Sequence, residues 1–452
     1  MRAVKSDAVD ERLAQQLEVY QRVATSFNAG HRPQASARID AIVGQAIRAR
    51  LPGAAIGDLC RLLDPRRVPV GLAEVVALDQ AGATLLPRAE SIGLSARHHV
   101  EWLGSANLVE VGDALLGGVL DGNGNRLDDA PQSRSAGVAM SILREGPAAL
   151  ERPRVRRALH TGVRAIDSLL TLGEGQRIGI FAAAGMGKTS LLGMLARGVD
   201  IDVCVLALIG ERGREVNEFL EHELSASVRG RTVVVVATSD KPAMERRRAA
   251  YVATTIAEYF RAQGRRVLLI MDSLTRFARA EREKGLAAGE LPVRRGFPPS
   301  VFSALPQLLE RAGNHRQGSI TAVYTVLVEG DDLNEPIADE ARSLLDGHIV
   351  LSSKLAMAGR FPAIDVLKSR SRVMTQVADA AQLAAAQRVR ALLAKHEEIE
   401  LLVSLGDYQR GHDALGDEAL DRIDALRAFL AQDLRQVEQH DAMRVALERV
   451  LR

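Results

Sequence analysis

The segment AAAGMGKTSLL, residues 182–192, follows directly on the strand-like run RIGIF. Gly185 and Gly187 permit the unusual backbone dihedrals that let peptide N–H groups converge on phosphate oxygens. Lys188 can reach β- and γ-phosphates, Thr189 offers a hydroxyl to Mg2+, and a helix N-terminus would lie behind both. Met186 and Ser190 complete the cradle. The first glycine of the usual G-x-x-x-x-G-K-[ST] pattern is replaced by Ala182, but strand, loop, GKT and helix remain in order. The segment is a phosphate-binding loop.

Two further positions could complete the chemistry of a bound triphosphate. Asp272 ends the apolar run Val267–Met271, where a strand-end carboxylate holds Mg2+ directly or through its water. Hydrolysis also needs a group that orients or deprotonates water beside the γ-phosphate. Glu211 and Arg212, in GERGREVNEF after the run VCVLALIG, fall at a strand's C-terminal edge, where α/β sheets bind ligands. Residue types alone leave two readings open for Glu211: a water-orienting carboxylate, or part of a solvated charge run such as Arg214 with Glu218.

The elements that must position these residues are legible in outline. Between about 160 and 375, β-type runs (RIGIFAA, VCVLALIG, TVVVVATS, VLLIMDS, ITAVYTVLV) alternate with helical patterns. Such alternation implies parallel strands covered by helices on both faces. Upstream, residues 31–103 carry short apolar runs punctuated by Gly, Pro and Asp, the texture of a small all-β barrel whose closure removes its edges. His98 and His99 are adjacent there and, on a strand, point to opposite faces, which disfavours shared metal ligation. Residues 1–30 predict an amphipathic helix, with Val9, Leu13, Leu17, Tyr20 and Phe27 on one face and Gly30 as its stop. It could pack on its own protein or serve as a partner-binding arm. The Arg-rich connector near 130–160, with Arg152, Arg154, Arg156 and Arg157, reads as a solvated linker. Residues 377–452 are helical in pattern. Leu420, Ile423, Leu426, Leu430, Leu434 and Val437 mark one face, and Gly406, Gly411 and Gly416 break the run before it.

Composition narrows the class. Lys+Arg 59 against Asp+Glu 57 leaves a net charge of +2, which argues against a protein devoted to coating nucleic acid or anionic lipid. Aromatic residues at 3% are too few for a single-strand stacking platform. Cys60 and Cys204 form no ligand spacing and no disulfide framework. No apolar run approaches the ~18 residues that span a bilayer, and the N-terminus lacks a signal-peptide core. A cytoplasmic multidomain protein is expected.

From about residue 33 to 430 the chain resembles the ATPases of type III secretion systems, a family related to flagellar export ATPases and to the catalytic β subunit of rotary ATP synthases. The resemblance rests on PGAAIGDLC (52–60), FAAAGMGKT (181–189), GERGREVNEFLE (210–221), ATSDKPAMERRRAAY (237–251) and VLLIMDSLTRFARA (267–280). It continues through RRGFPPSVFSALPQLLERAG (294–313), YTVLVEGDDLNEPIADEARSLLDGHIVL (324–351) and GRFPAIDVLKSRSRVM (359–374). It implies a RecA-like P-loop α/β core over 104–376, a β-barrel domain over 31–103 and a C-terminal helical domain over 377–452. It further implies ATP and Mg2+ as ligands, the metal held by Thr189 and Asp272. Glu211 matches the family's water-activating carboxylate and Arg212 its γ-phosphate ligand. Phe361 falls where an aromatic ring stacks on adenine. Arg372 falls where an arginine finger reaches the neighbouring subunit's nucleotide. The implied assembly is a homo-hexamer around a central stalk protein, handling chaperone–effector complexes at the inner face of the inner membrane. The N-terminal helix would meet a stator or regulator. Glu281 and the pair Ser353-Lys354 depart from the commonest family residues, and 129–158 matches poorly. The stretch 334–351 favours an export ATPase over a synthase β chain, and TRFARA with SALPQLLERAG favours the injectisome branch over the flagellar one. An RNA translocase would want more aromatics and basic excess. A non-catalytic nucleotide-binding scaffold would need Lys188 but no Glu211.

Overall fold

The computed structural model describes residues 36–89, 93–104, 107–128, 137–330 and 332–452. The helix expected over 1–30 lies outside the described residues. The chain divides into two compact units, one comprising residues up to 85 together with 91–105, the other 86–90 with 106–452.

In the first unit six strands close into a barrel in the order β1-β2-β5-β4-β3-β6. They are β1 (Ser36–Val43), β2 (Ala46–Ala49), β3 (Leu59–Leu63), β4 (Pro69–Asp79), β5 (Gly82–Pro87) and β6 (His99–Gly104). Ile39, Ile47, Leu62, Val75, Leu85 and Val100 turn inward and form the core. Closure leaves no unpaired edge to template aggregation. His98 lies just before β6, its Nδ1 engaged by Ser95, while His99 pairs in register with Arg38 on β1 and Leu63 on β3.

The second unit is built on a sheet with the strand order Ile364–Ser371, Gly347–Leu351, Arg177–Ala182, Ser319–Leu327, Arg266–Asp272, Val203–Ile209, Thr232–Ala237, Val119–Asp121. Every pairing along this path is parallel except that of the edge strand Ile364–Ser371 with Gly347–Leu351. Val203–Ile209 and Thr232–Ala237 are buried at every position, which is why they read as unbroken apolar runs. One face packs against helices Ala243–Ala262, Leu274–Ala287 and Pro299–Leu309, through Val252, Phe260, Phe277 and Leu305. The other packs against Arg164–Leu169, Lys188–Gly198 and the C-terminal helices, through Ile166, Leu192, Val389, Leu426 and Phe429.

Two expectations need correction. The apolar face extended from Leu420 to Val437 does not lie on one helix. Ala380–Leu405, Ala414–Leu430 and His440–Leu451 are separate helices. Gly406 ends the first in a left-handed conformation (φ 78°), but Gly416 lies inside the second, capped by the Asp413 carboxylate. The segment 431–439 leaves the helix because tertiary partners claim its backbone: Gln432 N–H donates to Phe361 O at 2.9 Å, and Arg197 donates to Leu434 O at 2.7 Å. Nor is Arg152 merely solvated, since it clamps Glu310 through an ion pair at 2.9 Å and a bond to its carbonyl at 2.6 Å. Arg154, Arg156 and Arg157 are exposed.

Candidate active site

Three strands of the parallel sheet, two of them adjacent and the third separated from them by Ser319–Leu327, deliver their C-terminal ends to one side of the sheet. Arg177–Ala182 runs into the glycine loop, Val203–Ile209 into Gly210-Glu211, and Arg266–Asp272 ends on the aspartate itself. Ala182 is still strand: it is fully buried and its carbonyl accepts from Val328 N at 3.1 Å. No left-handed conformation is required there, so the missing glycine is without structural consequence. Gly185 (φ 80°) and Gly187 (φ 78°) do adopt that conformation, which a Cβ would strain. Helix Lys188–Gly198 starts at Gly187 with no side chain capping its first turn, leaving those amides available to an anion.

Lys188 Nζ lies 2.6 Å from Asp272 Oδ1 and 3.4 Å from Glu211 Oε1. The three side chains are 12%, 5% and 11% exposed respectively, so their charges interact in a poorly hydrated pocket. Burial opposes the charge on Lys188, but Asp272 and Glu211 outweigh it and hold its pKa above the usual lysine value. The Glu211 carboxyl is pushed upward, first by burial and then by the Asp272 charge, with Lys188 and Arg276 pulling the other way. Thr325 Oγ1 donates to Asp272 Oδ1 at 2.6 Å and fixes that carboxylate from the adjacent strand. Thr189 is exposed beside Lys188 on the first helical turn. Carboxylates and hydroxyls form an all-oxygen donor set suited to Mg2+. The residues present therefore fit both a phosphate chain and its metal.

Phe361 belongs to the same corner. A Cβ at Gly187 would come within 3.2 Å of its ring, so the ring lies against the loop. Met186 packs partly against the apolar cluster beneath, and Ser190 is half-buried in the first helical turn.

Arg212 and Arg372 are not brought into this group. Arg212 is 81% exposed and pairs loosely with Glu215 at 3.6 Å. Arg372 is exposed, its Nη2 donating to Arg342 O at 3.2 Å and its backbone N–H to Asp346 O at 2.9 Å. Register explains its distance. Leu351 pairs with Ile364 near the loop end of the sheet, whereas Gly347 pairs with Ser371 at the opposite edge. A strand of this length covers about 20 Å, so Arg372 lies far from the phosphate loop of its own chain.

Sequence reasoning passed over Arg276. It stands four residues after Asp272, in the first turn of helix Leu274–Ala287, with its aliphatic stem against Gly210. Its charge opposes the rise in the Glu211 pKa, and its buried Nε has no hydrogen-bond partner. Position within the LTRFARA segment was the one available signal.

Residues 162–371 match the profile of the ATP synthase alpha/beta family nucleotide-binding domain, and 378–449 that of the T3SS EscN ATPase C-terminal domain. The type 3 secretion system ATPase of Xanthomonas euvesicatoria is 52% identical over 400 residues, 88% of this chain and 90% of the relative. The chain belongs to the type 3 secretion system ATPase family. The SPI-2 type 3 secretion system ATPase of Salmonella typhimurium is 50% identical over 400 residues, 88% of this chain and 91% of that one. The flagellum-specific ATP synthase of Bacillus subtilis is 47% identical over 398 residues, 87% of this chain and 90% of that one. Among solved structures, the assembled ATPase EscN of enteropathogenic E. coli superposes with a TM-score of 0.88 at 47% identity, covering 92% of this chain and all of that one. The same ATPase in complex with its central stalk EscO gives 0.84. As a member of this family the protein is an ATPase, and its fold is the expected one: closed barrel, parallel-stranded core and C-terminal helices. Among the described residues no helix is long and apolar enough to cross a membrane.

Proposed function

We propose that this ATPase powers a type III protein secretion apparatus, hydrolysing ATP to release chaperones and unfold substrates for export. The carrying observation is the buried Lys188–Asp272–Glu211 cluster at the mouth of the glycine loop. Loop amides and Lys188 hold the β- and γ-phosphates, Phe361 stacks on the adenine, and Glu211 orients the attacking water and takes its proton. Thr189 and Asp272 would hold Mg2+, which when bound would neutralise charge on the phosphate oxygens. Arg212 approaches the γ-phosphate by rotation of its exposed side chain away from Glu215. Arg372 serves the nucleotide on a neighbouring copy, which makes assembly a condition of activity. The match of residues 378–449 to a secretion ATPase C-terminal profile supports this branch over the flagellar one. We place the enzyme in the cytoplasm as a ring of six on a central stalk, peripheral to the inner membrane, with chaperone–effector complexes as its clients and a stator or regulator on its N-terminal segment.

The test is phosphate release by the wild type and Glu211→Gln at matched ATP occupancy. Glutamine preserves shape and removes the base, so kcat should fall by ~10²–10⁴ with ATP affinity retained. Equal slow rates would mean that the chain binds nucleotide as a scaffold.

A further inference from the structure

The edge strand Ile364–Ser371 is interrupted. His348 pairs with Arg370 and Val350 with Asp365, so Ile349 alone stands opposite the four residues Val366–Ser369. This extended bulge forms one wall of a cavity of about 420 Å³ between the edge strand and helix Ala380–Leu405. Bulges re-aim side chains and recur beside functional sites.

The backbone freed by the bulge is satisfied. Val350 N–H donates to Ser369 Oγ at 2.9 Å, and His348 Nε2 lies 3.0 Å from Lys368 O. Arg390 donates to Val366 O (2.7 Å), Ser369 O (3.1 Å) and Leu169 O (3.3 Å). All three acceptors are neutral, so they leave the guanidinium charge uncompensated, and two of its five N–H donors remain. Lys368 and Arg370 project from the same wall. Lys368 has Asp365 at 3.5 Å, but no carboxylate lines the cavity. Among the described residues neither Arg370 nor Arg390 pairs with a carboxylate. Leu169, Leu367 and Leu383 supply an apolar wall.

The geometry points to a second ligand site here, separate from the glycine loop, that binds a small organic phosphate: the dianion against Arg390, Lys368 and Arg370, the carbon body against the leucines. The volume is in the range of small-molecule sites. A half-buried cation facing this cavity gains most from an anion that excludes water around it. Burial holds the pKa of His348 below the ordinary histidine value, opposed by its hydrogen bond to Lys368 O and assisted by the nearby charges of Arg342, Arg372 and Arg370.

The probe is 1-naphthyl phosphate, titrated calorimetrically with the glycine loop filled by Mg2+ and a non-hydrolysable ATP analogue. 1-Naphthol lacks the charge and inorganic phosphate lacks the body, and both should bind at least tenfold more weakly. Arg370→Glu and Lys368→Glu sit at exposed positions and should each raise the naphthyl phosphate Kd about tenfold, while ATP-analogue affinity stays constant. The assignment falls if filling the glycine loop abolishes binding, if naphthol binds equally well, or if neither variant changes the Kd. It falls also if monomers bind and assembled rings do not, because a neighbouring copy then fills the cavity.

Discussion

The proposed role of Glu211 as a base depends on its neighbours as much as on its own chemistry. Burial and the Asp272 charge raise its pKa above the ordinary glutamate value, and Arg276 restrains that rise. The base acts only when ionised, so activity should fall as pH drops through this raised pKa, at a higher pH than an unperturbed glutamate would give. Arg276→Gln removes a cation that favours the ionised form, and the acid limb of kcat/KM should move further towards neutral pH. Profiles of both proteins at saturating Mg2+ check the sign, and a limb moving to lower pH would refute this electrostatic account. The loop, Lys188 and Asp272 were legible because their chemistry is fixed by local spacing after a strand. Phe361 and Arg372 came only through family resemblance, since nothing local distinguishes Arg372 among so many arginines. Arg276 shows the limit: its proximity to Glu211 arises from two strand ends converging, which no linear pattern displays.

Elements were legible in proportion to how completely they are buried. The five strands read from sequence all lie in the interior of the sheet and are apolar along nearly their whole length, whereas the interior strand Gly347–Leu351, five residues long, does not stand out as a run. Val119–Asp121 is too short to register, and Ile364–Ser371 turns polar after four residues because it is an edge with a bulge. The end of helix Ala414–Leu430 carries neither Gly nor Pro. Its stop is tertiary: Gln432 Nε2 donates to Gly162 O at 2.7 Å, and Arg164 reaches Ala431 O at 3.2 Å and Glu438 at 2.8 Å. The glycine-loop helix presents the reverse case, a sequence feature whose reason is visible only in space. Gly198, its last residue, passes so close to the Thr161 backbone that a Cβ would lie 2.1 Å from that carbonyl oxygen. A backbone carbonyl cannot rotate away as a side chain can. Gly198→Ala should therefore destabilise by about 1–3 kcal/mol, lowering the thermal midpoint. ATP affinity should drop as well, since the helix that backs the phosphate loop must tilt. An unchanged midpoint would show that the contact relaxes freely.

At the scale of the whole molecule, the proposed role of Arg372 makes one chain insufficient. The antiparallel edge strand carries Phe361 to the loop end of the sheet and Arg372 to the far edge, so one copy cannot place both groups on a single nucleotide. In the proposed ring each active site combines the loop of one copy with the guanidinium of the next. Such a guanidinium is worth ~10³–10⁵ in rate. Specific activity should accordingly rise with protein concentration, and Arg372→Ala should lose turnover while keeping ATP affinity. Mixing separates this from a structural defect. Lys188→Ala copies cannot hold phosphate but still present Arg372, and Arg372→Ala copies hold phosphate but present nothing. Each preparation alone should be inactive. Co-assembled at equal ratio with random neighbours, about one site in four pairs an intact loop with an intact finger in a head-to-tail ring, so activity should return to at most about a quarter of wild type. Co-assembled mixed rings that stay inactive, or an Arg372→Ala protein that hydrolyses ATP normally on its own, would each remove Arg372 from the neighbouring site.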